Sequence, residues 1–341
     1  MHLHDDSSEV LIDAIVRYSV DRVRMEDPPL DGPMRAEELR ARAGQTITRA
    51  GIGGLEALRV FSEVLAPACI SVDHPRFLAF IPAAPTEAAI LFDLVVGASS
   101  IYGGSWLEGG GAIFAENEAL RYISDLAGLP ATAGGVFVSG GTAGNLSALI
   151  AARYRWRTRA AGRHDRTRGL LLASSGAHSS ITAAARVMDV DVLCVPGDAA
   201  GRLTGEALRA TVAAMADADR ERLFAIVCTS GTTNAGVIDD IAAAADVSEE
   251  LSTWLHVDGA YGGAGLAAPS IRDRYAGVER ADSLIVDPHK WLFAPFDCCA
   301  LVYRDPTVAR AAHTQHAEYL DVLHSHDDSS DWNASDYAHH L

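Results

Sequence analysis

Residues 283–305 read SLIVDPHKWLFAPFDCCALVYRD: two apolar runs, Leu284–Val286 and Ala300–Val302, with Asp287, Pro288, His289, Lys290 and Trp291 after the first. An apolar run closed by proline reads as a buried strand. An ammonium is strongly hydrated and favours open water, so a lysine at the end of such a strand needs a reason. Burial strips its water and favours the neutral, nucleophilic amine, which points toward Schiff-base chemistry. The alternative is a stem packed along Trp291 with its head in solvent.

Outward from this stretch, Val136–Val138, Leu170–Leu172, Val192–Val195, Leu223–Val227 and Trp254–Val257 bring the short apolar runs to seven, and helical stretches separate them. The alternation predicts an α/β protein: a mostly parallel seven-stranded sheet with helices on both faces. Toward the N-terminus the spacing is helical. Val10, Leu11, Ala14, Ile15 and Tyr18 share one face, and Asp27, Pro28, Pro29 and Gly32 interrupt it. Further helices are expected over Glu87–Val96 and Ile113–Leu126, the second capped by Gly128 and stopped by Pro130.

Ligands of such sheets bind beyond the carboxyl ends of the strands, so the residues after each run are the ones to read. SGGTAGN (139–145) offers glycine-flanked amides and the Thr142 hydroxyl at a helix start, a phosphate cradle or an ordinary glycine turn. It is neither a Walker loop nor a dinucleotide fingerprint. ASSGAHSS places His178 before the next helix, as a ring-stacking group or a cap. CTSGTTNAG supplies Thr229, Ser230, Thr232 and Thr233, whose hydroxyls serve a ligand or the turn itself. In DGAYGGAG, Asp258 ends an apolar strand with small Ala260 beside it; a carboxylate there needs a cation, such as a protonated pyridine nitrogen, unless it caps a helix or forms an ion pair.

The whole chain sets limits on the partner. Its 341 residues, 49% hydrophobic, suffice for a large core, and a formal charge of −17 argues against nucleic acid or an anionic membrane surface. No apolar run reaches membrane-spanning length, and MHLHDDSSEV is too polar and acidic for a signal peptide, so cytoplasmic residence is expected. Cys69, Cys194, Cys228, Cys298 and Cys299 read as reduced core residues without metal-site spacing. His313, His316, His324 and His326 fall in a polar stretch beside Asp327 and Asp328, and no metal site is expected there.

Taken together, a phosphate cradle, a ring-stacking histidine, hydroxyls, an aspartate for a ring nitrogen and an imine-forming lysine on one rim are what pyridoxal 5'-phosphate requires. The chain resembles the group II pyridoxal-phosphate-dependent amino acid decarboxylases, which include the aromatic amino acid and glutamate decarboxylases. The resemblance runs from HPRFLAFIPAAPT (74–86) through GGSWLEGG, SGGTAGN, AHSS and TSGTTNAG to HVDGAYGG and DPHKWLFAPFDC, the last two being the specific ones.

That resemblance implies the fold-type I architecture and assigns roles. Lys290 would be the imine lysine, Asp258 the partner of the pyridine nitrogen, His178 the ring-stacking group and Ala260 the small residue under the ring. Gly141, Thr142 and His289 would hold the phosphate, with Asp287 where the family often has asparagine, and Thr232 would be a cofactor-side threonine. Phe80, Ile81, Pro82 and Trp106 would lie near the substrate side chain, favouring an aromatic or apolar amino acid slightly over an acidic or diamino one. The polar run 324–337 would be a mobile loop whose Tyr337 delivers a proton to Cα. Expected domains are a helical arm (1–75) that wraps a second subunit, a large cofactor-binding domain (76–310) and the start of the catalytic loop region (311–341), with the family's small C-terminal domain largely missing. The implied activity is decarboxylation of an L-amino acid by a homodimer. Other pyridoxal-phosphate reactions, namely aldehyde formation, aminotransfer or lysis, and a catalytically silent scaffold are the alternatives.

Overall fold

The computed structural model describes residues 5–159, 167–315 and 334–339. The chain divides into two compact units, Met1–Glu87 and Ala88–Leu341.

The first unit is helical. Asp5 caps the helix Asp6–Val23 by accepting from the Ser7 and Ser8 amides, and Pro28 and Pro29 follow its end. Two short helices, Ala36–Ala43 and Gly54–Val60, the second continued by a wider turn over Phe61–Leu65, complete the unit. Among its described residues Pro28, Val60 and Val64 are the buried apolar ones, whereas Val10, Ile12, Ile15 and Val16 stay exposed. So few buried residues do not make a core that could offset the chain entropy of so many ordered ones.

Among the described residues the second unit carries seven strands: β1 (Gly134–Val138), β2 (Leu170–Ser174), β3 (Asp191–Val195), β4 (Leu223–Thr229), β5 (Trp254–Asp258), β6 (Ser283–Val286) and β7 (Cys299–Tyr303). Each contains one of the apolar runs read from the sequence. Their order is β1-β7-β6-β5-β4-β2-β3, so the chain places late strands between early ones. From β3 to β6 neighbours pair in parallel, and β7 runs antiparallel to both β6 and β1. Central β4 and β5 are buried along their whole length, the continuous apolar pattern of strands covered on two faces.

Two helical layers cover the sheet. On one face Leu120, Ile123, Leu208, Ile241 and Ala244 pack against Leu172, Ile226, Leu255 and Leu284. On the other, Ala148, Leu149, Ala152, Ile181 and Ala185 pack against Leu171, Val227, Ile285 and Leu301. The helix Trp106–Ala127 ends as the sequence predicts: Gly128 takes a left-handed conformation (φ 69°, ψ 25°), and the Leu129 amide reaches back to the Ser124 carbonyl at 3.0 Å. Because β7 reverses, its first residue, Cys299, pairs with Val138 at the rim where the parallel strands end. The connection from β6 to β7, residues 287–298, therefore stays on that rim, and it carries Lys290.

Candidate active site

The rim encloses a cavity of about 280 Å³, lined by residues from SGGTAGN, ASSGAHSS, CTSGTTNAG, DGAYGGAG and the stretch that carries Lys290. β1 leads through Ser139 and Gly140 into the helix Gly141–Arg159, whose N-terminal end opens on the cavity. Gly140 has φ of 131°, a backbone conformation closed to most side chains. A Cβ on Gly141 would stand 3.1 Å from Ala260 Cβ and 3.1 Å from Asp287 Oδ2, so glycine is needed to leave this corner open.

Asp258 ends β5, and 4% of it is exposed. Its Oδ1 accepts from the Ala260 amide at 3.1 Å and its Oδ2 from Asn145 Nδ2 at 2.9 Å. Among the described residues no arginine or lysine pairs with it, so its charge is available to a cation in the cavity. His178 takes the second of the two places its position suggested, that of a cap, and it also faces the cavity. It caps the helix Ser179–Met188, its Nδ1 accepting from the Ser180 amide at 3.2 Å, and it lines the cavity.

Lys290 meets a carboxylate: Nζ lies 2.9 Å from Asp287 Oδ2, and Asp287 is almost fully buried. His289, also at the cavity, rests its Nδ1 2.7 Å from the Cys298 carbonyl oxygen, while its Nε2 is 3.9 Å from Asp287 Oδ2. Across from these, Thr229 brings a buried hydroxyl that meets no protein partner among the described residues, a polar atom left for a ligand.

Thus Gly141, Thr142, His178, Asp258, Ala260, His289 and Lys290 come together around one cavity. Thr232 does not line it. Its Oγ1 accepts from the Val237 amide at 3.1 Å, and its own amide donates to the Val237 carbonyl at 2.9 Å, closing the turn, while Thr229, Gly231 and Thr233 face the cavity instead. Trp106 starts the helix Trp106–Ala127, packs its indole against Gly110 and is not part of the lining. Phe80, Ile81 and Pro82 belong to the first unit, where Phe80 takes φ of 60° and is 83% exposed.

Tyr337 does not line the cavity. It lies in the helical layer, buried among Ala148, Ala309 and Ala338, and its carbonyl accepts from Tyr303 Oη at 3.0 Å. Tyr303 pairs with Gly134 and Ser283, the first residues of β1 and β6, at the edge of the sheet opposite the rim. An aromatic ring gains more by burial in that layer than by exposure in a polar run. The rest of the expected loop, 324–333, lies outside the described residues, as do His316, His324 and His326. His313 is buried, its Nε2 3.1 Å from the Ser147 carbonyl.

Two buried residues escaped the sequence reading. Asn145 joins Asp258 to Ser180 and His256, and His256, fully buried, touches Ser283. Their signal was weak but present: a polar side chain one turn past Gly141, amid the small buried residues Gly144, Ser147 and Ala148, and a histidine inside a strand. Burial lowers the His256 pKa to about 4 against the opposing pull of Asp258, so the ring stays neutral.

The arrangement fits pyridoxal 5'-phosphate. An amine, a carboxylate with no cation of its own, a glycine corner at a helix N-terminus and a small residue beside the carboxylate are its complementary groups. Comparisons with known proteins agree. The pyridoxal-dependent decarboxylase conserved domain matches residues 56–336. Aromatic-L-amino-acid decarboxylase of Bacillus atrophaeus is 28% identical over 305 residues, covering 87% of this chain and 61% of the relative. L-2,4-Diaminobutyrate decarboxylase of Rhizobium meliloti (strain 1021) is 34% identical over 258 residues, covering 75% of this chain and 51% of the relative. The crystal structure of Oryza sativa TDC with PLP and tryptamine superposes with a TM-score of 0.84 at 24% identity, over 99% of this chain and 72% of that one, which bears on the fold.

The fold and the matching family model define a fold-type I pyridoxal-phosphate protein. The chain belongs to the pyridoxal-dependent decarboxylase family, and it spans 51–61% of the length of these two curated relatives. No helix among the described residues is long and apolar enough to cross a membrane.

Proposed function

We propose that this chain provides the cofactor-binding part of a carboxy-lyase that converts an L-amino acid to its amine and carbon dioxide. One observation carries the reading: the Lys290 amine, the Asp258 carboxylate and the N-terminus of the helix Gly141–Arg159 open on one cavity. When bound there, pyridoxal phosphate supplies an electron sink for the bond broken at Cα. Lys290 Nζ would hold its aldehyde carbon, and the Asp258 charge would keep a proton on the ring nitrogen. His178 and Ala260 would bracket the ring. The helix amides with Thr142, together with His289, would hold the phosphate. Borohydride treatment of the cofactor-supplied protein tests this: mass spectrometry should find the reduced cofactor on Lys290 and nowhere else.

For the substrate, the first reading is an aromatic side chain. Among the described residues the cavity lining contains no arginine to pair with an acidic one, and a relative named for aromatic substrates aligns over most of the chain. Asp297 in the lining favours a second reading, a side chain that ends in an ammonium, as in the substrate named for the relative from Rhizobium meliloti. Carbon dioxide release from L-tryptophan, L-tyrosine, L-glutamate and L-2,4-diaminobutyrate discriminates among these classes. An aromatic preference that survives Asp297→Asn supports the first, and loss of diaminobutyrate turnover in that variant supports the second.

The assembly proposed is a homodimer in which the N-terminal segment, residues 1–75, acts as an arm on the partner. Supporting it, the helix Glu87–Ala98 buries none of its residues and leaves Phe92 68% exposed, with Leu94, Val95 and Val96 also open. Contiguous apolar surface of this kind marks an interaction site. Light scattering of the cofactor-loaded protein at micromolar concentration should report twice the chain mass, and a monomer that retains the cofactor would refute the assembly.

A further inference from the structure

Asn145 lies in the second turn of the helix Gly141–Arg159 and is 1% exposed. Its amide makes three contacts that its own helix does not require. Nδ2 donates to Asp258 Oδ2 at 2.9 Å and to Ser180 Oγ at 2.9 Å, and Oδ1 stands 2.7 Å from His256 Nε2. A carboxylate only accepts, so the nitrogen must face Asp258 and the oxygen must face His256. His256 Nε2 then carries the ring proton. Its Nδ1 accepts from Ser283 Oγ at 2.8 Å, which accepts in turn from Trp254 Nε1 at 2.8 Å. On the other branch, Ser180 Oγ accepts from Asn145 and gives its proton to His178 Nδ1 at 2.9 Å. The proton of neutral His178 therefore stands on Nε2.

From Trp254 to His178 every donor and acceptor has one consistent assignment, and the two branches meet at Asn145. The amide also keeps two groups apart. A charged imidazole in direct contact with Asp258 would consume the carboxylate's charge, but a neutral His256 reaches it only through Asn145. That charge remains free for the cavity.

We propose that Asn145 is a positioning residue for the cofactor ring: one amide aims Asp258 at the ring nitrogen and, through Ser180, sets the tilt and tautomer of His178. This rests on the reading that the cavity takes pyridoxal phosphate. A buried hydrogen bond to a charged group is worth about tenfold or more in an equilibrium constant, and networks of them act as units.

The test uses Asn145→Leu, which removes all three contacts, and the isosteric Asn145→Asp, which turns an oxygen toward Asp258. Three quantities are measured: far-ultraviolet circular dichroism of the cofactor-free proteins, affinity for pyridoxal phosphate from fluorescence quenching, and visible circular dichroism of the bound cofactor, which reports how asymmetrically the ring is held. Expected are a parental helix signal, an affinity about tenfold weaker or worse and a diminished visible band. Parental affinity and an unaltered visible band in a folded Asn145→Asp protein overturn the inference while the cofactor reading stands. If neither variant folds, Ser180→Ala decides, since it cuts only the branch to His178: an altered visible band supports the inference and an unaltered one overturns it. A parent protein on which borohydride fixes no cofactor overturns the cofactor reading and this inference together.

Discussion

Lys290 Nζ and Asp287 Oδ2 stand 2.9 Å apart, and the carboxylate, 2% exposed, is the more deeply buried partner. The lysine that opened the functional question is thus held by a counter-ion three residues before it, with its backbone amide also bonded to the Asp287 carbonyl at 3.0 Å. Removing one partner of such a pair leaves a buried charge without compensation. Lys290→Ala should therefore abolish cofactor attachment and also lower the stability of the cofactor-free protein, by about 2 kcal/mol, less than for a fully buried pair because Lys290 reaches solvent. Adding Asp287→Asn to Lys290→Ala should restore most of that stability without restoring attachment. Denaturant melts of the parent and both variants check this, and equal midpoints in all three would mean that the pair has no net worth.

Gly141→Ala addresses the phosphate corner. The new methyl would press on Ala260 and on the Asp287 carboxylate. Overpacking of this kind costs about 1–3 kcal/mol, and here much of the cost falls on the space the ligand needs. Affinity for pyridoxal phosphate should drop at least about tenfold while the cofactor-free protein remains folded. Fluorescence titration gives the comparison, and parental affinity would move the phosphate elsewhere.

His256 sets a pH signature. Its folded pKa, lowered to about 4, lies below the ordinary imidazole value of 6.5, so the unfolded chain binds the extra proton between those values. The stability this contributes is complete above pH 6.5 and is lost as pH falls toward 4. At pH 5 the loss is roughly 2 kcal/mol relative to neutrality. Asp239 works in the opposite sense. Burial raises its pKa to about 6 while the Thr229 and Leu203 amides pull it down, so it adds stability at low pH that disappears as pH rises through 6. Because the two oppose each other, the informative quantity is the difference between the parent and His256→Gln. The parent's advantage should shrink by roughly 2 kcal/mol from pH 7 to pH 5 in urea melts; a constant difference would show that His256 is not the neutral, buried group described.

Tyr337 is expected to matter for stability. Tyr337→Ala should cost about 3 kcal/mol, the loss of a buried aromatic, and Tyr337→Phe, which keeps the ring in the layer, should cost less. Neither change should divert an amine product to aldehyde. Product analysis by mass spectrometry after supplying an amino acid decides it, and aldehyde from Tyr337→Phe would return the residue to the chemistry.

By itself, the sequence determined where the strands lie and which residues stand at their ends. Buried strands must be apolar, so the seven runs were legible, and the residue after such a run, whether Asp258, His178 or Gly141, reaches the rim in any parallel arrangement. Only the tertiary structure decided the reversal of β7, the insertion of β4–β7 between β1 and β2, and the partners of buried polar groups. Local periodicity carries no information on pairing direction. It says equally little about which distant side chain will satisfy a carboxylate: Asn145 and Asp258 meet across 113 positions of sequence because the helix after β1 crosses the sheet above β5. Tyr337 shows the same limit from the other side. Its polar neighbours in sequence suggested solvent, and the apolar layer that receives it exists only once the helices have packed on the sheet.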